Sequence, residues 1–360
     1  METNKNRNKV ESCEPYAVPA KELTSHQIEA WSSLVNENQD LASPFFAPDY
    51  TLAVAAVVPE VRVGIIECAG EPVAFLPFEQ KPHGIGYRLR LCDYQALIAK
   101  PGFDFDIRKF IKNCGLRAWD FDHLLASQEA FRPFHRGLGA SPVIDLSGGF
   151  AAYVVERRAA GTEQIKKAGN LTRRLEREVG PLRFESHLQD PAILRQLLTW
   201  RAAKYQDSRH SFESVESILT HLLEKQNPDC RGTLSVLYAG SEIAAIHFGL
   251  RSRRVWHYWF PAYNPCFEKY SPGTILLLRI AELTPTLGMK IVDLGKGDQD
   301  YKRRLMNGSI GLAEGSVETS LLISLPRASQ RSIRKWAENK PTLLKTARSL
   351  AQIAKRIGFL

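Results

Sequence analysis

Two stretches of this 360-residue chain occur twice, in the same order and at nearly the same spacing. The run from Cys68 to Phe78 (CAGEPVAFLPF) aligns with the run from Tyr238 to Phe248 (YAGSEIAAIHF), an offset of 170 residues. Each reads as a strand, an Ala-Gly turn and a second strand, which is a hairpin pattern. The run from Cys114 to Phe121 (CGLRAWDF) aligns with the run from Leu287 to Leu294 (LGMKIVDL), an offset of 173. Each reads as a helix end closed by Gly, a short apolar strand and an Asp at its end. Between the two matches each half carries one Pro-Gly, Pro101-Gly102 and Pro272-Gly273. Such self-similarity constrains the chain to build one α/β unit twice. The expected division is a polar N-terminal tail over 1–22, a first unit over 23–149, a second over 150–325 and a basic helical tail over 326–360.

The second unit is the more legible. Its pattern predicts a basic helical stretch over 152–178, a strand over 182–187 and helices over 191–206 and 212–226. Three strands are expected over 234–239, 242–251 and 254–260. A loop ending in Tyr270-Ser-Pro-Gly273 then opens an apolar helix over 274–287. A strand over 290–294, a Gly-Lys-Gly turn, a short helix over 299–306 and a last strand over 317–325 complete it.

At 44% hydrophobic and 24% charged, the chain has enough apolar surface for sizeable cores without covalent staples. Its six cysteines, at 13, 68, 92, 114, 230 and 266, show no CxxC pair and no Cys/His zinc spacing. Most are expected to be free thiols in a reducing cytoplasm, and no metal site is expected. The N-terminus lacks the apolar core of a signal peptide, and no apolar run reaches the roughly 18–20 residues of a membrane span. Nearly all of the net charge of +9 belongs to the last 34 residues, which hold nine Lys/Arg and one Glu. That localisation argues against nucleic acid as a partner of the folded body. The tail is expected to form a basic amphipathic helix, docked on the protein or lying at an anionic membrane surface.

The order of elements resembles the GNAT acyltransferase fold, and its doubling resembles the FemABX-like branch. More narrowly, SPFFAP (Ser43–Pro48), DYQ (Asp93–Gln95), YSPG (Tyr270–Gly273) and DLGKGDQDYK (Asp293–Lys302) resemble the CelD-like acetyltransferases named for cellulose biosynthesis. The resemblance spans about residues 30–320. It implies two tandem GNAT-like domains, each a mixed sheet flanked by helices, and an acyltransferase using acyl-CoA or an acyl carrier protein. The acceptor would carry an amino or hydroxyl group, on a small molecule or an envelope or glycan precursor. An aminoacyl-tRNA-dependent ligase and a catalytically silent scaffold of a polysaccharide-synthesis complex are the alternatives.

Acyl transfer from a thioester needs a phosphate cradle, a base for the nucleophile and an acid for the thiolate. The helix start at Tyr270, Ser271, Pro272, Gly273 and Thr274 offers free N–H groups, hydroxyls and a favourable dipole to an anion. The usual GNAT loop is R/Q-x-x-G-x-G/A. This chain lacks the second Gly, and Pro272 removes one donor. The resemblance assigns the acid to Tyr301, with Lys302 beside it as an oxyanion or phosphate partner. His247, in the apolar strand AAIHFGL, is either a core residue or the base, since imidazole titrates near neutrality. Asp293 would orient His247 or act as base itself. His257 and Tyr258 point to opposite faces, so at most one of them shares the cleft. Asp104 and Asp106 follow Pro101-Gly102 in the first half and would repel a pyrophosphate. The first unit is therefore expected to be a degenerate partner that shapes the acceptor cleft.

Overall fold

In the computed structural model the described residues are 13–204 and 211–320, so the tail expected over 326–360 lies outside them. The first half runs β1 (Cys13–Pro19), α1 (Ser25–Glu37), α2 (Pro48–Val57), β2 (Val61–Cys68), β3 (Glu71–Lys81), β4 (Ile85–Tyr87), β5 (Ile98–Ala99), α3 (Ile107–Asn113), β6 (Ala118–Leu125) and β7 (His135–Asp145). The second runs α4 (Gly149–Ala159), α5 (Gln164–Glu178), β8 (Leu182–Leu188), α6 (Pro191–Lys204), α7 (Phe212–Glu224), β9 (Arg231–Ala239), β10 (Glu242–Arg251) and β11 (Val255–Tyr263). It ends with α8 (Pro272–Leu283), β12 (Ile291–Asp293), α9 (Asp300–Leu305) and β13 (Gly308–Glu318).

The duplication appears as one mixed sheet that reads alike from both ends. Its order is β1-β2-β3-β4-β6-β13-β7-β12-β11-β10-β9-β8, with β5 beside β3. Each end is an antiparallel meander followed by one parallel pair, β4 with β6 and β11 with β12. The symmetry is completed by an exchange. The first half's last strand, β7, pairs with β12, and the second half's last strand, β13, pairs with β6. β7 and β13 then pair with each other at the midline.

The Ala-Gly turn does what the sequence asks of it. Ala69 and Gly70 both have positive φ (54° and 85°), and the tight turn joins β2 to β3 in register. Several boundaries differ from expectation. The single helix expected over 152–178 is two, broken at Gly161 (φ 78°), which closes the first. The last strand occupies Gly308–Glu318, earlier than 317–325, because Gly308, Gly311 and Gly315 dilute its apolar alternation. The stretch expected as a polar tail contains the edge strand β1. There Cys13 lies opposite Cys68, and the two form a disulfide. That pair departs from the free-thiol expectation, and cysteines 55 apart in sequence meet only once β1 pairs with β2. Cys92, Cys114, Cys230 and Cys266 are free.

The halves share a core on one face of the sheet. Trp31 of α1 and Tyr50 and Val54 of α2 join Leu219 and Leu222 of α7 and Phe248 of β10 in one apolar cluster, with α2 packed on α7. The opposite face carries two smaller clusters, one under α3 and one under α4, α5 and α8. No helix of the described residues is long and apolar enough to cross a membrane.

The exchange and the shared cluster predict that neither half stands alone. Residues 147–320 expressed without the first half would expose the β12 edge and the apolar face of α7. That fragment should bind a hydrophobic dye and lose cooperative unfolding, and co-expression with residues 1–146 should restore both.

Candidate active site

Strands β11 and β12 run side by side for three residues, Val255–Ile291, Trp256–Val292 and His257–Asp293. Then they part. β12 ends, and the chain turns away through Gly295 (φ 72°), while β11 continues to Tyr263. Past that point no described strand pairs with β11 on this side; Trp259 N–H donates to His247 Nε2 and Pro261 O accepts from Arg201.

Two adjoining cavities occupy the opening. The larger, about 610 Å³, is bounded by Tyr258, Tyr263, Glu268, Gln299, Tyr301 and the start of α8 at Ser271, Gly273 and Thr274. The smaller, about 290 Å³, is bounded by Asp93, Leu294, Gly295, Lys296 and Lys302. Arg201, Tyr258, Pro261, Gln299 and Tyr301 line both.

At the equivalent place in the first half the chain closes on itself. After Ile85–Ala118 and Gly86–Trp119, β4 leaves β6, and the chain itself fills the gap. Gln95 forms a parallel bridge to Leu124. Its side-chain oxygen accepts the N–H groups of Asp122 (3.0 Å) and His123 (3.2 Å), and its Nε2 donates to Asp120 O (3.3 Å). Asp106, expected to repel a phosphate, caps α3 by accepting Lys109 N–H.

At the start of α8, Ser271 takes the left-handed conformation (φ 52°), and its carbonyl accepts the N–H groups of Thr274 and Ile275. Pro272 at the first helical position is buried and has no N–H. The N–H of Gly273 has no partner among the described residues and lies at the larger cavity. Tyr270 is buried and turned away, donating to Glu178 at 2.6 Å. That bond, with Arg174 beside it, holds the Glu178 carboxyl down at about 2.

Of the four residues expected to carry the chemistry, two reach the opening. Tyr301 lines both cavities and Lys302 the smaller. Lys302 is largely buried, with Nζ 2.9 Å from Gly295 O and 3.3 Å from Lys296 O. Burial lowers its pKa. His247 and Asp293 line neither cavity. His247 is fully buried, stacked on Tyr258 (4.3 Å between centroids), and its Nε2 accepts Trp259 N–H at 3.3 Å. Burial, and then the nearby His257, push its pKa well below the ordinary value, so it is a neutral core imidazole.

Asp293 instead anchors a buried polar cluster. Its Oδ2 accepts Tyr94 OH at 2.5 Å, and its Oδ1 accepts Ser141 OH at 2.6 Å and Gly295 N–H at 2.8 Å. His257, also fully buried, sets Nδ1 3.5 Å from the same Oδ1, a charge contact too long for a good hydrogen bond. Its Nε2 lies 2.9 Å from Asp93 Oδ2. Burial opposes charge on His257, but Asp293 and Asp93 overcome it and raise the pKa to about 9. Burial likewise works against the Asp293 carboxylate, and the imidazolium, with Ser141 and Tyr94, still brings its pKa below the ordinary value. Asp93, Tyr94 and Ser141 were not singled out as site residues from sequence, and His257 was named only as one of two residues of which at most one shares the cleft. The one signal was DYQ, which stands out as a motif but bears no visible relation to residues 164 to 199 positions away.

The sign of this arrangement is testable. A histidine whose folded pKa exceeds its unfolded value of about 6.5 stabilises the fold below pH 6.5, and that contribution fades as pH rises through about 9. In ¹⁵N-histidine-labelled protein, one buried imidazole should keep both ring protons until about pH 9 while another stays neutral at every pH tested. A His257 resonance titrating at or below 6.5 would contradict the cluster.

No curated protein matches the chain in sequence. Residues 163–303 match the family profile described as an acetyltransferase (GNAT) domain. Among solved structures, FemX is similar at 10% identity and a TM-score of 0.56, over 85% of this chain and 98% of that one. The C-terminal domain of a putative lysylphosphatidylglycerol synthetase from Agrobacterium fabrum is similar at 14% identity and a TM-score of 0.54, over 85% of this chain and 95% of that one. A tandem GNAT protein from the clavulanic acid biosynthesis pathway is similar at 12% identity and a TM-score of 0.48, over 86% and 99%. The fold is a mixed α/β arrangement of GNAT type, and its second half carries a GNAT-superfamily acetyltransferase domain.

Proposed function

We propose that the protein transfers an acyl group from a thioester of the acyl-CoA class, bound where β11 parts from β12, to an acceptor entering from the smaller cavity. One observation carries the reading. The chain keeps this opening in the half that matches the acetyltransferase domain, and fills it with Gln95 in the other.

The edge of β11 from Tyr258 onward, which no described strand covers, gives an extended, amide-bearing arm such as pantetheine a strand to lie along, with Pro261 O held by Arg201 at 3.3 Å. The start of α8 suits its phosphates: a free N–H at Gly273, hydroxyls at Ser271 and Thr274, and the positive end of a twelve-residue helix. Glu268 opposes a phosphate on the same wall, but Tyr263 OH donates to its carboxylate at 2.9 Å and offsets part of the charge. In this reading Tyr301, on both cavities, protonates the leaving thiolate. Lys302, fixed on two carbonyl oxygens, holds the Gly295–Lys296 turn and faces the reacting centre with positive charge.

Calorimetric titration with acyl-CoA tests the donor. Gly273→Asp is a clean probe, because a β-carbon there meets nothing closer than Tyr263 Cδ1 at 3.8 Å, so the variant should fold. Its carboxylate would occupy the phosphate position and should weaken acyl-CoA binding at least tenfold, about 1.4 kcal/mol. Unchanged affinity rejects the site, and a response to aminoacyl-tRNA in place of acyl-CoA changes the donor class. A thiolate of pKa roughly 8.5 needs little help near neutrality. Tyr301→Phe should therefore slow thiol release by no more than about 10²-fold, with acyl-CoA affinity kept.

A further inference from the structure

One group of buried polar side chains takes no part in acyl transfer. It lies where β9 begins and β10 ends, on the sheet face that α8 packs against. Arg231 and Arg251 stand directly opposite each other in the β9–β10 register, and Arg251 stands opposite Trp256 in the β10–β11 register. Like charges so paired repel and weaken the sheet. The Arg251 guanidinium lies 5.1 Å over the Trp256 ring. Gly249 lets that indole lie close to the strand, since a β-carbon there would sit 2.7 Å from Trp256 Nε1. β8 contributes His187. A bulge between Ser186 and Leu188 holds it at φ 65° and aims its ring at Trp256, with 5.8 Å between ring centroids.

Among the described residues nothing answers these groups. Arg251 is 8% exposed, and its Nε and Nη1 are buried without a hydrogen-bond partner. The same holds for Trp256 Nε1, for His187 Nε2 and for Thr233 Oγ1 on the strand row of Gly249. The acidic side chains nearest in sequence are engaged elsewhere, Asp229 with Arg253 Nε at 2.6 Å and Glu185 with Arg183. Burial, Arg251 and Arg231 bring the His187 pKa down to about 4, and burial and Arg231 bring that of Arg251 down to about 10. A carboxylate alongside would act in the opposite sense.

We propose that Arg231, Arg251, His187 and the Trp256 indole N–H bind a dianion of the phosphate class, as the free ion or as the terminal group of a small molecule. Buried charges are kept when they are paired, and this pair of guanidiniums lacks its counter-charge. The free groups are donors, save the Thr233 hydroxyl, which serves either way, so the missing partner accepts hydrogen bonds. With Ser186 Oγ donating to His187 Nδ1 at 2.8 Å, Nε2 carries the ring proton and joins them. A univalent anion matches one guanidinium, and a dianion matches both. Arg231 and His187 are partly exposed and mark the way in from solvent. The site is separate from the acyl-transfer opening, because Arg231, Arg251 and His187 line neither cavity and the His247–Tyr258 stack stands between.

Thermal unfolding of the full chain tests the site, with sodium phosphate or sulfate set against chloride and acetate at equal ionic strength. An ion that binds only the folded state raises the midpoint with a saturable dependence on its concentration. Phosphate and sulfate should do so, and chloride and acetate should not. Arg231→Gln and Arg251→Met should each need at least tenfold more phosphate for the same rise. In chloride both variants should unfold no lower than the parent, because each removes one of two unmatched like charges, whereas a packing role for the guanidiniums would lower the midpoint. Arg231 is the less buried of the two, so its variant decides the matter where Arg251→Met fails to fold. Gly273→Asp should keep the parent's phosphate response, which separates this site from the start of α8. Glycerol phosphate acting like phosphate assigns the site to phosphomonoesters, and its silence assigns it to the free ion. A parent response to phosphate no larger than to chloride or acetate overturns the proposal. So does an undiminished phosphate response in Arg231→Gln, or a response lost in Gly273→Asp.

Discussion

A buried charge sits where the two halves meet, and both halves are needed to hold it. Asp293 has no contact with water, and an isolated carboxylate in that position would cost several kcal/mol or more. Its compensation is collected from three places. Tyr94 comes from the first half's filling segment, Ser141 from the exchanged strand β7, and His257 from β11, itself steadied by Asp93. Gly295 N–H completes the set by turning the chain back within two residues. Removing the first half strips both Tyr94 and Ser141 from the carboxylate.

That requirement explains the strand exchange better than apolar packing alone. If β7 returned to pair with β6, as a self-contained first half would have it, Ser141 would sit far from Asp293. Placing β7 beside β12 sets Asp293 opposite Val143 and brings Ser141, two residues earlier on the same face, to the carboxylate. The reciprocal move puts β13 on β6, where its Glu318 also meets Arg136 of β7 at 2.7 Å. The halves are thus tied by hydrogen-bonded strands at the midline, by an apolar cluster on one face and by a charge cluster at the cleft.

Much of this architecture was legible in the sequence, for a physical reason. Hairpins, Gly-closed helices and apolar strands are local, and a duplicated gene repeats local patterns at a fixed offset. The 170- and 173-residue offsets therefore locate elements that the sheet then displays in mirrored order. The helix start at Ser271–Thr274 was legible for the same reason, since Pro-Gly before an apolar run is a local signal. The polar cluster was not. His247 and His257 look alike in sequence, each a histidine in an apolar strand. What separates them is which buried neighbour they meet: a Tyr ring and a backbone N–H for one, two carboxylates for the other. Those neighbours are fixed by pairings across more than 160 residues, and no periodicity carries that information. The Cys13–Cys68 disulfide was missed likewise, because it depends on an edge strand that composition assigns to a tail.

Duplication then allows a division of labour within one fold. An opening between parting parallel strands exposes unpaired backbone, and each such edge needs a partner. The first half answers with its own chain, and Gln95 reproduces with one side-chain amide the donor and acceptor pattern that a ligand's amide would bring. Filling that gap is what carries Asp93 and Tyr94 across the midline, since they directly precede Gln95 in the same segment. The segment that closes the gap in the first half thereby lends Asp93 to the opening in the second. A substitution at Gln95 should be felt first at His257 and Asp293, far along the chain, and only secondarily in the half where it lies.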